Sequence, residues 1–191
     1  MKVVAFNGSA RRDGNTALLV RKVLEELEKG GITTELVQLA GKKIQGCIAC
    51  YKCLENQDMR CAVKDDFLND CLKKMYAADG IILASPTYFA DVTSAMKALM
   101  ERAGMVSKMN RDLLRRKIGA AVVAVRRAGA IHVFDTLNHF FFISQMIVPG
   151  SSYWNVGVGL EIGEVKNDEE GLTTMSVLGE NMCWLLKKVS D

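Results

Sequence analysis

Four cysteines lie within fifteen residues of this chain, close enough in sequence to bind one metal group. They form the pattern C-x2-C-x2-C-x7-C, whose members are Cys47, Cys50, Cys53 and Cys61. Structural zinc sites usually pair two separated C-x2-C segments, whereas three cysteines at successive three-residue steps are typical of iron–sulfur sites. The spacing therefore favours a [4Fe–4S] cluster, with redox-active thiols and a zinc ion as the alternatives.

A loop rich in hydroxyl, amide and guanidinium groups follows the first apolar run of the chain. Residues 3–6 are apolar, Asn7 and Gly8 end that run, and a helical pattern begins near Asn15. Because the N–H groups at a helix N-terminus attract anions, this loop is suited to binding a phosphate. It contains neither G-x-G-x-x-G nor G-x-x-x-x-G-K-[ST], which favours a single terminal phosphate. The candidate phosphate ligands are Ser9, Arg11, Arg12, Asn15 and Thr16.

Two further loops carry residues suited to a flat aromatic ligand such as a flavin ring. The first, Ser-Pro-Thr-Tyr-Phe at residues 85–89, offers aromatic side chains as an apolar wall. The second, residues 126–130, combines small residues with arginines that would stabilise the negative charge of a reduced flavin. The alternatives are aromatic packing under a helix and solvated arginines. The candidate ring-binding residues are Pro86, Thr87, Tyr88, Phe89, Arg126, Arg127 and Gly129.

These loops must be positioned by the elements between them, which alternate along the chain. Apolar runs predict strands at residues 3–6, 33–39, 80–85 and 118–125, and a broken fifth strand at 146–149 and 153–158. Helical spacing predicts helices over residues 15–30, after a cap at Asp65 or Asp66, over 92–103, around Phe134 to Phe141, and at the C-terminus. Residues 104–117 read as a polar surface connection. The alternation predicts an α/β fold with a doubly wound, five-stranded parallel sheet.

Three of these motifs carry a resemblance to a known family. Residues 8–16 match Gly-Ser-x-Arg-x-x-Gly-Asn-Thr, the first loop of the NADPH-dependent FMN reductases, and residues 85–89 resemble the stretch that lies along their flavin. The cysteine loop at 46–61 resembles that of the iron–sulfur flavoproteins, a branch of the same superfamily. The resemblance covers most of residues 1–140. It implies a flavodoxin-like fold with strand order 2-1-3-4-5, whose cofactor loops meet at the carboxyl ends of the strands.

The resemblance also implies a function. We expect an FMN-dependent oxidoreductase that passes electrons through the flavin and a [4Fe–4S] cluster, from ferredoxin or another one-electron donor to a small-molecule acceptor. The alternatives are a cluster-free NAD(P)H-dependent FMN or quinone reductase and a flavodoxin-like electron carrier. NAD(P)H is the reductant in the first of these alternatives.

Composition limits the remaining possibilities. With 191 residues, 49% of them hydrophobic and 25% charged, the chain is expected to form one FMN-binding domain, residues 1–191. A net charge of +3 does not suggest nucleic acid, and no membrane span or signal peptide is expected. We expect a cytoplasmic protein, in which the cysteines stay reduced. Cys71 and Cys183 are expected to pack in the core. The apolar residues 140–143 predict a subunit contact, and hence a homodimer or homotetramer.

Overall fold

The computed structural model describes residues 1–189, so the last two residues of the expected domain 1–191 lie outside the described residues. Its centre is a five-stranded sheet in the order β2-β1-β3-β4-β5, in which all neighbouring strands are parallel. This confirms the predicted fold class and strand order. The strands are β1 (Lys2–Asn7), β2 (Thr33–Gln38), β3 (Gly80–Pro86), β4 (Ile118–Val125) and β5 (Val156–Val158).

Helices cover both faces of the sheet. Helices α1 and α6 pack with one face of the strands in one apolar cluster, while α3, α4 and α5 pack on the other face in a second. The alternating faces of each strand serve both clusters, which explains why β3 and β4 are continuously apolar. The helices are α1 (Asn15–Lys29), α2 (Lys52–Asn56), α3 (Leu68–Ala77), α4 (Ser94–Met109), α5 (Ala130–Ile143) and α6 (Glu169–Val189). No helix within the described residues has an apolar stretch long enough to cross a bilayer.

Helix α4 is longer than predicted. The sequence predicts an end near Ala103 and a surface connection over residues 104–117. The helix instead continues to Met109 and buries Val106. Leu114, in the connection itself, is fully buried. That prediction was wrong because polar residues such as Ser107 and Lys108 hide the apolar positions at helical spacing. The additional turns of α4 become important at the cysteine loop.

Two smaller predictions also need correction. The fifth strand is only Val156–Val158, and residues 146–149 contribute a single bridge between Ile147 and Ile118, because Pro149 and Gly150 interrupt the extended chain. The residue that caps α3 is Phe67 rather than either aspartate. Asp66 does accept a hydrogen bond from the Leu68 N–H at 3.2 Å, yet its carboxylate mainly serves another partner, described below.

The predictions that single residues lie in the core can be compared with their burial. Cys71 and Cys183 are buried, as expected. In the apolar run at residues 140–143, Phe140 and Phe141 belong to the core, whereas the following Phe142 and Ile143 are exposed. The subunit contact predicted for this run stays a prediction that now concerns the two exposed side chains.

Close packing of α5 on β4 requires a glycine at position 119. A Cβ atom there would lie 2.6 Å from Phe141 Cδ1 and 2.8 Å from Phe141 Cγ, so the buried ring would have to move. We expect Gly119→Ala to lower the free energy of unfolding by about 1–3 kcal/mol, the usual cost of overpacking. Urea denaturation would measure this loss. Gly150→Ala is the control, because no described atom lies within 4 Å of its Cβ position, and equal losses in both variants would contradict the prediction.

Candidate functional site

The loop after β1 is held by a buried amide network. Asn7 Oδ1 accepts the Ser9 N–H at 3.0 Å, and Asn7 Nδ2 donates to Gln38 Oε1 at 2.7 Å. Gln38 Nε2 in turn donates to the Ser9 carbonyl at 2.7 Å. Sequence reasoning gave these two amides no role, although each ends a strand next to the predicted loop. They fix the backbone of the loop before any ligand binds.

A glycine brings this loop against the start of α4. The Gly8 N–H donates to the Ala84 carbonyl at 2.8 Å, and Thr93 Oγ1 donates to the Gly8 carbonyl at 2.9 Å. A Cβ at position 8 would lie 2.9 Å from that same Oγ1 atom. Thr93 also caps α4 by accepting the Met96 N–H. The loops after β1 and β3 are therefore fastened together through one threonine.

The N-terminus of α1 faces a cleft of about 150 Å³. Its N-cap is Gly14, and no side chain in residues 1–189 caps this end, so the first-turn N–H groups remain available to an anion. Ser9 Oγ accepts the Arg11 N–H at 3.1 Å and keeps its own proton to donate. The candidate residues that line the cleft are Ser9, Arg11, Asn15, Thr16, Pro86, Thr87, Tyr88 and Arg126.

The polar candidates of the first loop have different positions. Arg11 reaches across the cleft, where its Nη1 donates to the Leu160 carbonyl at 2.9 Å. The Asn15 amide is used by the structure: its Nδ2 donates to the Glu161 carbonyl and its Oδ1 accepts the Gly163 N–H, both at 2.9 Å. Arg12 lines a separate pocket beside β2. The structure thus brings Arg11 to the cleft, gives Asn15 a clamping role and directs Arg12 elsewhere.

The loop after β3 has an unusual backbone. Tyr88 and Asp91 exchange backbone hydrogen bonds across a tight reversal, whose central residues Phe89 and Ala90 have φ values of 45° and 71°. Positive φ in non-glycine residues is strained and concentrates at functional sites. Tyr88 is half-exposed at the cleft, and Phe89 is fully exposed at the tip of the reversal. The alternative of packing under a helix is wrong for Phe89, the residue for which the sequence favoured it more, because that residue is fully exposed.

Thr87 provides the clearest sign of a missing partner. Its N–H donates to the Ala124 carbonyl at 2.9 Å, yet its buried Oγ1 has no hydrogen-bond partner among the described residues. A buried hydroxyl without a partner is costly, and this one lies in a residue that lines the cleft. A ligand with polar edges would satisfy it. The cleft therefore fits a phosphorylated ligand with a flat, polar-edged ring.

The loop after β4 divides between two cavities. Arg126 lines the cleft, whereas Arg127 and Gly129 line an adjoining cavity of about 430 Å³, walled by Tyr153 and Trp154. Gly129 has a φ of 86°, which favours glycine, and it precedes the first residue of α5. Of the three ring-binding candidates in this loop, the structure therefore places only Arg126 at the cleft, and it places Arg127 and Gly129 at the adjoining cavity.

The four predicted cysteine ligands line one pocket. Cys53 is buried, Cys61 is half-buried, and Cys47 and Cys50 are exposed. No three His, Cys, Asp or Glu side chains in the described chain are close enough to bind a single metal ion. The rest of the lining is mostly apolar and includes no carboxylate, a donor set that suits a thiolate-bound cluster better than a hard cation. The apolar lining residues include Ile48, Ala62, Val63, Met105 and Val106.

Backbone strain also concentrates in the cysteine loop. Of the ten non-glycine residues with positive φ that the structure describes, four lie between Cys47 and Cys61 and two more in the β3 loop. Those in the cysteine loop are Ala49, Tyr51, Gln57 and Met59. Such strain persists where surrounding contacts impose it.

Asparagines supply those contacts. Asn69 on α3 accepts the Cys61 N–H at 2.9 Å and donates to the Cys61 carbonyl at 3.0 Å. Asn110, just after α4, donates to the Cys53 carbonyl at 3.3 Å and accepts the Met59 N–H at 2.9 Å. The sequence analysis assigned no role to either asparagine, and no local pattern marks them, because these contacts form only in the folded chain.

The thiols differ in their surroundings. Burial raises the pKa of Cys53, and the nearby Cys61 and Cys50 add to that effect. Burial raises the pKa of Cys71 to about 12, which keeps it a neutral core thiol. A thiol binds iron as the thiolate, so Cys53 would release its proton when a cluster binds.

The fold and the two sites define a class: flavodoxin-like proteins with a ligand cleft at the carboxyl ends of β1, β3 and β4. The sequence model of the NADPH-dependent FMN reductase family matches residues 1–161. The chain belongs to this family of flavin-dependent oxidoreductases.

Individual relatives agree with that membership. The iron-sulfur flavoprotein MJ1083 of Methanocaldococcus jannaschii is 40% identical over 196 residues, covering 99% of both chains. Among solved structures, RosB with a bound riboflavin-5'-phosphate intermediate gives a TM-score of 0.77 at 23% identity, covering all of this chain and 80% of RosB. A flavodoxin from the domain Archaea gives 0.64 at 16%, covering 98% of this chain and 99% of that one. These two structures support the fold.

Proposed function

We propose that this protein is an iron–sulfur flavoprotein, which binds FMN in the cleft and a [4Fe–4S] cluster at the cysteine loop. The observation that carries the proposal is that Cys47, Cys50, Cys53 and Cys61 line one pocket in a chain of the FMN reductase family. The name of the Methanocaldococcus jannaschii relative supports the same conclusion. In this proposal residues 1–191 form one FMN-binding domain.

The cleft residues would divide the work of binding FMN. The N–H groups of the first turn of α1 would bind the phosphate, together with Ser9, Thr16 and Arg11, which line the same cleft. Thr87 and Arg126 offer donors to the polar edge of the ring, and Tyr88 offers an apolar wall. Bound flavin would supply the exchange of electrons singly or in pairs. Asn7, Gln38 and Asn15 hold the loops around the cleft in this arrangement through their own hydrogen bonds.

The cysteine pocket would have to open to admit a cluster. The space enclosed by its lining is only about 20 Å³. Cys53 and Cys61 are anchored by Asn110 and Asn69, whereas Cys47 and Cys50 are exposed. The exposed segment can therefore move while the anchored ligands stay in place. Ala49 and Tyr51, on either side of Cys50, both have positive φ, a strained conformation that a rearrangement of the segment would relieve.

Helix α4 connects the two proposed sites. Thr93 at its start is bonded to the phosphate loop, and Arg102 in its second half lines the cysteine pocket. At a rise of about 1.5 Å per residue, the nine steps from Thr93 to Arg102 span about 14 Å along the helix. The sites are thus built from different residues on one rigid element, and we expect each to bind its cofactor without the other.

The choice of electron donor tests the proposed function. We expect ferredoxin, or another one-electron donor, to reduce the flavin faster than NADPH or NADH does, because the cluster would accept single electrons. Anaerobic stopped-flow absorbance at the flavin band would measure both rates. Rapid bleaching by NADPH in protein that contains no iron would favour the cluster-free reductase instead, and binding of FMN without any turnover would favour a carrier.

The remaining expectations belong to the same proposal. A small-molecule acceptor would bind near the flavin, and the cavity beside Arg127 and Gly129 is adjacent to the cleft. The exposed Phe142 and Ile143 support a homodimer or homotetramer. Location in the cytoplasm is proposed because reducing conditions keep the cysteine ligands available.

A further inference from the structure

A buried arginine forms part of the cysteine pocket. Arg102 lies on α4, is 1% exposed, and lines the pocket together with the four cysteines. Arginine is seldom buried without a specific partner, since removing its charge from water is costly. Neither the fold nor the proposed flavin site uses this residue. Its position therefore requires an explanation of its own.

The guanidinium group bridges the two ends of the cysteine loop. Its Nη1 donates to the Gln45 carbonyl at 3.1 Å, just before Cys47, and its Nη2 donates to the Val63 carbonyl at 3.3 Å, just after Cys61. Nη1 also forms an ion pair with the buried carboxylate of Asp66. The buried Nε has no hydrogen-bond partner within residues 1–189. One donor thus remains unused in a pocket lined by sulfur atoms.

The charge on this group is retained despite its burial. A guanidinium group does not lose its proton in proteins, and here the buried carboxylate of Asp66 balances its charge. A buried cation is screened by salt much less than a surface charge is. Besides Asp66, the Glu101 carboxylate also contacts the loop: it accepts the Cys47 N–H at 3.4 Å on the exposed side and is paired with Lys97.

We propose that Arg102 is a positioning residue of the cysteine pocket, which closes the loop through Gln45 and Val63 and raises the reduction potential of a cluster bound there. The inference rests on the proposed function. Reduction adds one electron from the external donor and changes no ligand bond, so the negative charge in the pocket increases by one unit. A fixed cation beside the cysteines, with one N–H still free to donate, stabilises that reduced state.

Potentiometric titration of the anaerobic, iron-loaded protein, followed by electron paramagnetic resonance, tests this inference. We expect Arg102→Gln to lower the midpoint potential of the cluster by at least about 59 mV, which is a tenfold change in a one-electron equilibrium. Arg102→Lys, which keeps the charge but not the fork of donors, should recover part of that shift. The control is Lys108→Gln, which removes a surface charge from the same helix, paired with Asp112 and not with a residue that contacts a cysteine, and should leave the potential unchanged.

A folding defect is separated from this effect by a second pair of variants. Arg102→Gln leaves Asp66 buried without its cation, so we also compare Asp66→Asn with the double variant Asp66→Asn/Arg102→Gln, which has no lone buried carboxylate. The double variant should have the lower potential. Equal potentials in that pair, or an Arg102→Gln potential equal to that of the control, would overturn the inference. Wild-type protein without iron would instead refute the proposed function.

Discussion

Replacing any one of Cys47, Cys50, Cys53 and Cys61 with serine is expected to remove most of the bound iron while FMN stays bound. The four side chains line one pocket, and a [4Fe–4S] cluster needs four ligands. The residues of the flavin cleft come from other loops, so loss of a cysteine should not disturb them. Iron and sulfide assays, with FMN determined on the same anaerobic samples, would measure the effect.

The other two cysteines provide the matched control. Cys71 lies on α3 and packs in the core on one face of the sheet, whereas Cys183 lies on α6 and packs on the opposite face. Cys71→Ser and Cys183→Ser should retain iron, although burial of a hydroxyl lowers their stability by about 1–3 kcal/mol. If Cys71→Ser lost iron to the same extent as Cys50→Ser at equal stability, the proposed ligand set would be wrong.

The second large effect is expected at Arg11. Arg11→Gln should weaken FMN binding about tenfold to a hundredfold, because a hydrogen bond to a charged group contributes roughly 1.5–3 kcal/mol. Arg11 lines the cleft and is held there by the Leu160 carbonyl. Titration of apoprotein with FMN, followed by quenching of flavin fluorescence, would give the dissociation constants.

Arg12 provides the matched control for this experiment. Arg12→Gln removes the same charge one residue away, but Arg12 lines the separate pocket beside β2. We expect its effect on FMN affinity to be less than about threefold, since only the general attraction of an exposed charge is lost. Equal losses of FMN affinity in the two variants would show that the phosphate does not bind in the cleft that Arg11 and Thr16 line.

Most strands and helices could be predicted because their apolar patterns are local in the sequence. The continuous apolar runs of β3 and β4 follow from burial on both faces, and the helical spacing of α1 follows from packing on one face. Strand order followed from the family resemblance, and the observed sheet confirms it. The cysteine spacing also placed four thiols at one pocket, because all lie within one short loop.

Other features depend on contacts between distant parts of the chain. The sequence analysis assigned no role to Arg102, since only the folded chain shows Asp66 and two carbonyls around it. The direction of Arg11 relative to Arg12 depends on the turn closed by the Gly14 N–H and the Arg11 carbonyl. The clamping role of Asn15 depends on a loop almost 150 residues away. No local periodicity encodes such contacts.

The central claim is that one chain binds FMN and a cysteine-ligated cluster at separate sites. The most direct test is the ratio of iron and acid-labile sulfide to FMN in wild-type protein purified anaerobically and reconstituted. We predict about four irons and four sulfides per FMN, since a [4Fe–4S] cluster contains that number of each. Stoichiometric FMN with no iron or sulfide after reconstitution would contradict the claim.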